Sequence, residues 1–371
     1  MRNTRQQIAG FTITELLIAT ALGLVLISGM ISVFIGSKRS SELNTAISDM
    51  QESARYALDS MARDVRRAGF QGCVDVNTRS ATVRADAPPT LNPKDTIVTG
   101  SVVVSPSVWV PAPPRTFLYP SADIVPVPGT HTLALQFGST PSELSAPMLT
   151  QADPIAITDN TDNAQLDDGD LAIIADCDEA DLFRVSSAPE NAGVITHLAV
   201  DNSNNGNLSK AYDGGMDSKE QAQVMKFHSN VYFVADTQET NEHGDPLRSL
   251  YVQTLPYTAA NPPTELVQGI ENFRVRFGVR RNNGSIAYYA ANEPGYDSET
   301  IETVQIGLLM ASYSRIRNEN DNQNYVLAGQ NIPAAQGQAT DGLSHSNNTQ
   351  YRLVFNTTVK VRNRRFKDGD S

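Results

Sequence analysis

With 371 residues and a formal net charge of −12, the chain is long enough to bury a substantial core. The charge is unevenly divided. Residues 1–68 hold 8 Lys/Arg against 6 Asp/Glu, and residues 69–371 hold 21 against 35. A globular part this acidic disfavours nucleic acid as a partner, because phosphate binding needs a basic face.

A short polar leader with Arg2 and Arg5 ends at Gly10, and an apolar run extends from Phe11 to Ile35. As a helix these residues span about 38 Å at roughly 1.5 Å per residue, enough to cross a ~30 Å hydrocarbon core. Glu15 is the one ionisable group inside the run, and an isolated carboxylate there points to a pairing role. A secretory signal places its cleavage site after the apolar stretch. Here the only junction that reads as a processing site, Gly10-Phe11, precedes it, so cutting would keep the helix and free an α-amine four residues before Glu15.

The helical pattern continues beyond the span. Leu43, Ile47, Met50, Ala54, Leu58, Met61 and Val65 fall on one stripe of an amphipathic helix. Glu52 with Arg55 and Asp59 with Arg63 stand at helix-neighbour spacing and are expected to pair. Arg63, Arg66 and Arg67 suit the carbonyl end, and Gly69 suits the C-cap. One helix of about 55 residues follows from these patterns.

After Gly72 the pattern turns to β. Strands are expected at 97–104, 131–137, 171–175, 182–185, 194–200, 230–235, 249–254, 273–279, 304–312 and 351–361. In Phe273-Arg274-Val275-Arg276-Phe277-Gly278-Val279 the apolar side chains alternate with arginines, which predicts a half-buried strand with its arginines in water. Residues 106–128 contain seven prolines and Trp109, a composition that disfavours ladder pairing. The Asn-rich stretches 201–207 and 318–348 read as mobile surface loops. Cys73 and Cys177 read as one disulfide of an exported domain, with two buried thiols as the alternative.

No catalytic constellation is present. The five histidines are isolated, and the zinc, P-loop, dinucleotide and nucleophile-elbow patterns are absent. Asp201-x-Ser203-x-Asn205-Gly206-Asn207 begins like a calcium loop, but Tyr212 stands at the twelfth position, where a bidentate Glu is needed. The expectation is therefore no enzyme, no metal and no cofactor. The basic end 362–367 reads as a solvated strand end.

The sequence Gly10-Phe11-Thr12-Ile13-Thr14-Glu15-Leu16-Leu17 resembles the class III signal of type IV pilins and type II secretion pseudopilins. That resemblance implies cleavage by prepilin peptidase between Gly10 and Phe11, and N-methylation of Phe11. It also implies that Glu15 attracts the free amine of a neighbouring subunit. Further along, Arg63-Asp64-Val65-Arg66-Arg67-Ala68-Gly69-Phe70 with Gly72-Cys73 is similar to the PilW-type minor pilins. So are residues 170–177, 266–273, 304–309 and 358–365, while 78–165 and 200–265 carry no likeness. The resemblance implies an α+β, pilin-like fold: leader 1–10, transmembrane helix half 11–35, amphipathic half 36–69, and a mostly antiparallel β-rich head 70–371. Its implied partners are prepilin peptidase, the major pilin, other minor pilins and a tip adhesin. The chain would sit in the inner membrane with a periplasmic head and then pass to the pilus tip, because a large acidic head repeats poorly along a thin fibre. The alternative is a J-type pseudopilin of type II secretion, which shares the leader and the 266–273 segment but is shorter and lacks the long polar loops.

Overall fold

The computed structural model describes residues 12–76, 79–88, 93–113, 124–157, 165–188, 193–214, 221–258 and 260–364. Gly10 and Phe11 lie outside the described residues. Contacts divide the chain into two compact units, Met1–Asp49 and Met50–Ser371.

Helix α1 (Ile13–Arg67) is continuous over 55 residues, long and apolar enough to cross a membrane. In the first unit no described residue is buried. Leu17, Leu24, Val25, Leu26, Met30 and Phe34 are among the large apolar side chains left exposed there. Burial begins at Met50 and continues through Ala54, Ala57, Met61, Ala62 and Val65. Three of these are alanines, so the buried face of the helix is narrow and shallow. The helix stops where Ala68 N–H donates to the Asp64 carbonyl (2.8 Å) and Gly69 N–H donates outward to Gln136 (2.9 Å). Gly69 has φ +76°, the left-handed conformation that favours glycine at a helix end. The expected Glu52–Arg55 and Asp59–Arg63 pairs do not form among the described ion pairs; Lys38–Glu42 does, at 3.6 Å.

The head is built on two sheets, each shaped by long strands. Gln223–Thr240, 18 residues long, is the spine of a ten-stranded sheet. Its first turns of ladder pair with Leu171–Ala175. Its middle and end pair with Leu133–Gly138 on one side and Pro246–Gln253 on the other. All these pairings are antiparallel; Thr82–Val83 beside Ala180–Arg184 is the parallel exception. The second sheet orders Ile286–Tyr289, Ile270–Arg280, Ile301–Arg315 and Gln350–Lys360, all antiparallel. The chain passes from one sheet to the other at Gly269 (φ +82°), whose N–H donates to Arg248 and whose carbonyl accepts from Ala311. The apolar core fills the sheet faces, with Phe183, Tyr232, Phe233, Phe273 and Phe277 all buried.

Several expectations are corrected by how loops cover these sheets. Arg274 is buried rather than solvated, donating to the carbonyls of Gly129 and Gly342, because the 127–132 and 339–345 segments lie over that face. The 318–348 stretch is no mobile loop: it folds a hairpin, Tyr325–Leu327 with Gln330–Ile332, and buries Asp321 and His345 completely. Within 106–128, Val108–Val110 pairs with Val102–Ser105, Val125–Pro126 pairs with the spine, and Trp109 packs on Phe233 (5.8 Å between rings). The expected 194–200 strand shortens to Val194–Ile195. His197 turns inward there to meet the carbonyls of Gly206 (2.7 Å) and Asp153 (2.9 Å), which bends the chain away from a ladder. Arg364, read as part of a solvated end, is buried and donates to the carbonyls of Ser298 and Lys94.

Cys73 and Cys177 form the disulfide. It ties the chain just after the helix to the loop between Leu171–Ala175 and Ala180–Arg184 across 104 residues. Loop closure of that length restricts the unfolded chain strongly. Replacing both cysteines by serine is expected to cost about 2–5 kcal/mol, read as a lower denaturant midpoint with unchanged slope.

Candidate functional site

Glu15 lies in the first turn of α1. Its Oε2 accepts hydrogen bonds from Thr12 N–H and Thr12 Oγ1, both at 2.9 Å, and Glu15 N–H donates to Thr12 Oγ1 at 3.3 Å. This is a capping box: Thr12 is the N-cap, Glu15 the third helical residue, and each satisfies the other's orphan donor. The separate chain therefore holds the one carboxylate of its apolar segment, exposed, against its own helix start.

At the other end of the helix, side chains of the head grip the last two turns. Asp64 Oδ2 accepts from Tyr232 OH (2.6 Å) and Asn230 Nδ2 (2.7 Å). Burial, together with the Asp64 charge, pushes the Tyr232 hydroxyl up from its ordinary pKa, so it stays a donor at any physiological pH. Asn363 Nδ2 reaches the carbonyls of Arg66, Arg67 and Ala68 at 3.0–3.3 Å, groups that a helix end leaves unpaired. The Arg67 guanidinium lies 4.8 Å from the Phe137 ring centre. Asp64 and Asn363 stood inside segments picked out by resemblance, but nothing in their spacing announced these partners.

The second feature is a buried ionic network at one end of the head. Arg352 donates to Glu271 through Nε (2.5 Å) and Nη2 (3.3 Å), and through Nη1 to Asp321 (3.4 Å). Arg315 makes a two-pronged contact with Asp245 at 2.7 and 3.0 Å. Asn348 joins the halves, donating to Asp245 (3.1 Å) and accepting from Arg352 (3.0 Å). Burial alone would raise the Glu271 carboxyl, but the Arg352 charge and hydrogen bonds and the Ser346 N–H hold it below the ordinary range. Asp245 is likewise lowered against its burial by Arg315, Asn241 and Asn348, and Asp321 by Tyr325, the Gln323 N–H, Arg317 and Arg352. His131 is also buried, its Nδ1 against Val275. Burial, then the Arg274 charge, brings its pKa down to about 3.

These shifts give the head a defined pH dependence. Carboxylates with depressed folded values contribute stability in full above the unfolded value of ~4 and lose it as pH falls through the folded values. For His131 the unfolded chain takes up a proton near pH ~6.5 that the folded chain refuses down to about 3, so stability also falls as pH drops below ~6.5. Thermal unfolding of the full chain should show a Tm that declines gently below pH ~6.5 and steeply below pH ~4. A Tm independent of pH between 7 and 3 would contradict the assigned network.

Residues 231–363 match a family model described as PilW, Type IV Pilus-assembly protein W. That segment is similar to the PilW family. Tyr232 and Asn363, close to the two ends of the matched segment, are the residues that grip the helix, and the Glu271–Arg352–Asp321 network lies wholly inside it. The match does not extend to α1 or to the cysteine pair. No curated protein and no solved structure matches the chain. Among the described residues no group of three or more His, Cys, Asp or Glu is placed to hold a metal ion. Tyr212, the residue that breaks the calcium-like spacing, is instead buried with its hydroxyl on Asp181 (2.8 Å). The description of the matched family supports a role in type IV pilus assembly.

Proposed function

We propose that this chain is a PilW-type minor pilin that starts or caps a type IV pilus. Prepilin peptidase cuts between Gly10 and Phe11, Phe11 is N-methylated, and the retained helix anchors the chain in the inner membrane with its head in the periplasm. On entering the pilus, Glu15 exchanges its contacts with Thr12 for the protonated amine of an adjacent subunit. Other minor pilins, the major pilin and a tip adhesin are the partners this role requires.

The observation that carries the reading is the joining of a head with a PilW-like segment to a helix whose apolar stretch holds a single acid, in its first turn. A charge in lipid persists where it has a partner, and a self-made cap leaves the partner site replaceable. The competing role is a J-type pseudopilin of type II secretion. Deletion of the gene separates the two: loss of surface pili and twitching with normal exoprotein release supports the minor pilin, and retained exoproteins with intact pili supports the pseudopilin.

A further inference from the structure

We propose that the exposed face of the last turns of α1, made by Tyr56, Arg63, Arg66 and Arg67, is a docking surface for a carboxylate-rich turn on the head of a neighbouring pilin subunit. The inference rests on the minor-pilin reading above and adds the place and chemistry of contact.

The four residues, with Ser60, lie on one side of the helix at spacings of three and four, so they present together. Ser60, Arg63, Asp64, Arg66 and Arg67 line a depression of about 330 Å³, with room for an acidic side chain. Tyr56, one turn earlier, is 54 % exposed. Asp64, the one carboxylate lining the depression, keeps its charge but is held toward the head by Tyr232 and Asn230, so three guanidinium groups face one carboxylate there, and Asp59 pairs with no cation among the described ion pairs. Arg63 and Arg66 likewise make no ion pair or side-chain hydrogen bond among the described residues, while Arg67 is held in place over Phe137.

The helix dipole explains cations in the final turn, but its effect fades within that turn. It does not account for Arg63, for Tyr56 or for the depression. Tyrosine and arginine are the residue types that carry most binding energy at protein interfaces. A lipid headgroup cannot be the occupant, since Tyr56 lies 21 residues beyond Ile35, about 30 Å along the helix. Charge complementarity supplies the partner. The head of this very chain type is strongly acidic, with 35 Asp/Glu against 21 Lys/Arg in residues 69–371, and the exposed neighbours Asp167 and Asp168 show the kind of carboxylate-rich turn such heads offer. Opposed charges of this kind guide association and fix register.

The test places a photo-crosslinking amino acid at Tyr56 of the full chain in piliated cells, with the mature N-terminus measured on the same sample. An adduct with another pilin subunit is expected, reduced at least about tenfold by R63E with R66E and kept by R63K with R66K. An adduct that survives the Glu pair, or one formed with a protein that is not a pilin, overturns the proposal. A chain cut at Gly10-Phe11 that gives no adduct overturns the docking surface alone. An uncut chain that gives none overturns the minor-pilin reading with it.

Discussion

Glu15→Ala should yield a chain that is cleaved, inserted and folded like the parent, yet lowers pilus number by at least about tenfold. The substitution leaves Gly10 and Phe11 untouched, and the head is built from Met50 onward, so processing and folding are preserved. What is lost is the carboxylate that meets Thr12 in the separate chain and, on the present account, a neighbour's amine in the pilus. Glu15→Gln divides these two roles. Glutamine still completes a capping box but carries no charge. Equal loss of pili in the Ala and Gln variants assigns the effect to charge; normal piliation in the Gln variant would assign it to helix capping instead.

Arg352→Met carries the largest expected effect on the head. It removes the cation that Glu271 and Asp321 face inside the protein, and a buried charge stripped of its partner costs about 3–5 kcal/mol. For a domain of this size the Tm should fall by on the order of 10 °C. Combining Arg352→Met with Glu271→Leu removes one of the stranded carboxylates, so the double variant should be more stable than Arg352→Met alone. If the double variant is no better, the Arg352–Glu271 pair is not the contact that matters. Because Arg352 and Glu271 sit on strands that are not neighbours in the sheet, the same measurement reports on how the network holds Ile270–Arg280 and Gln350–Lys360 to the 318–348 segment.

The helix was legible because two different periodic signals agree over its length. An unbroken apolar run to Ile35 and a three-four stripe from Leu43 both demand α structure, and Gly69 supplies the stop. The strands were legible where apolar residues cluster, as in Leu171–Ala175, and blurred where burial is produced by a covering loop. Arg274 illustrates this. Alternation with Phe273 and Val275 marks it as outward, but carbonyls from two distant loops enclose it, and no local pattern encodes distant loops. The same holds for Asp321, Asn348 and Arg352: a polar composition reads as solvated sequence unless one knows that its donors and acceptors meet. Trp109 was masked by the prolines around it. At the helix start, Thr12 and Glu15 stood in plain view at capping-box spacing, yet the pilin-like signal absorbed both residues and hid the simpler local bond. Asn363, almost 300 residues from the carbonyls it caps, had no local signal at all.

The most direct measurement is the N-terminal sequence and intact mass of the protein recovered from cells. The account predicts a chain that begins at Phe11 and is heavier by one methyl group than the unmodified fragment. A chain that begins at Met1, or one that starts beyond Ile35 with the helix discarded, would contradict it.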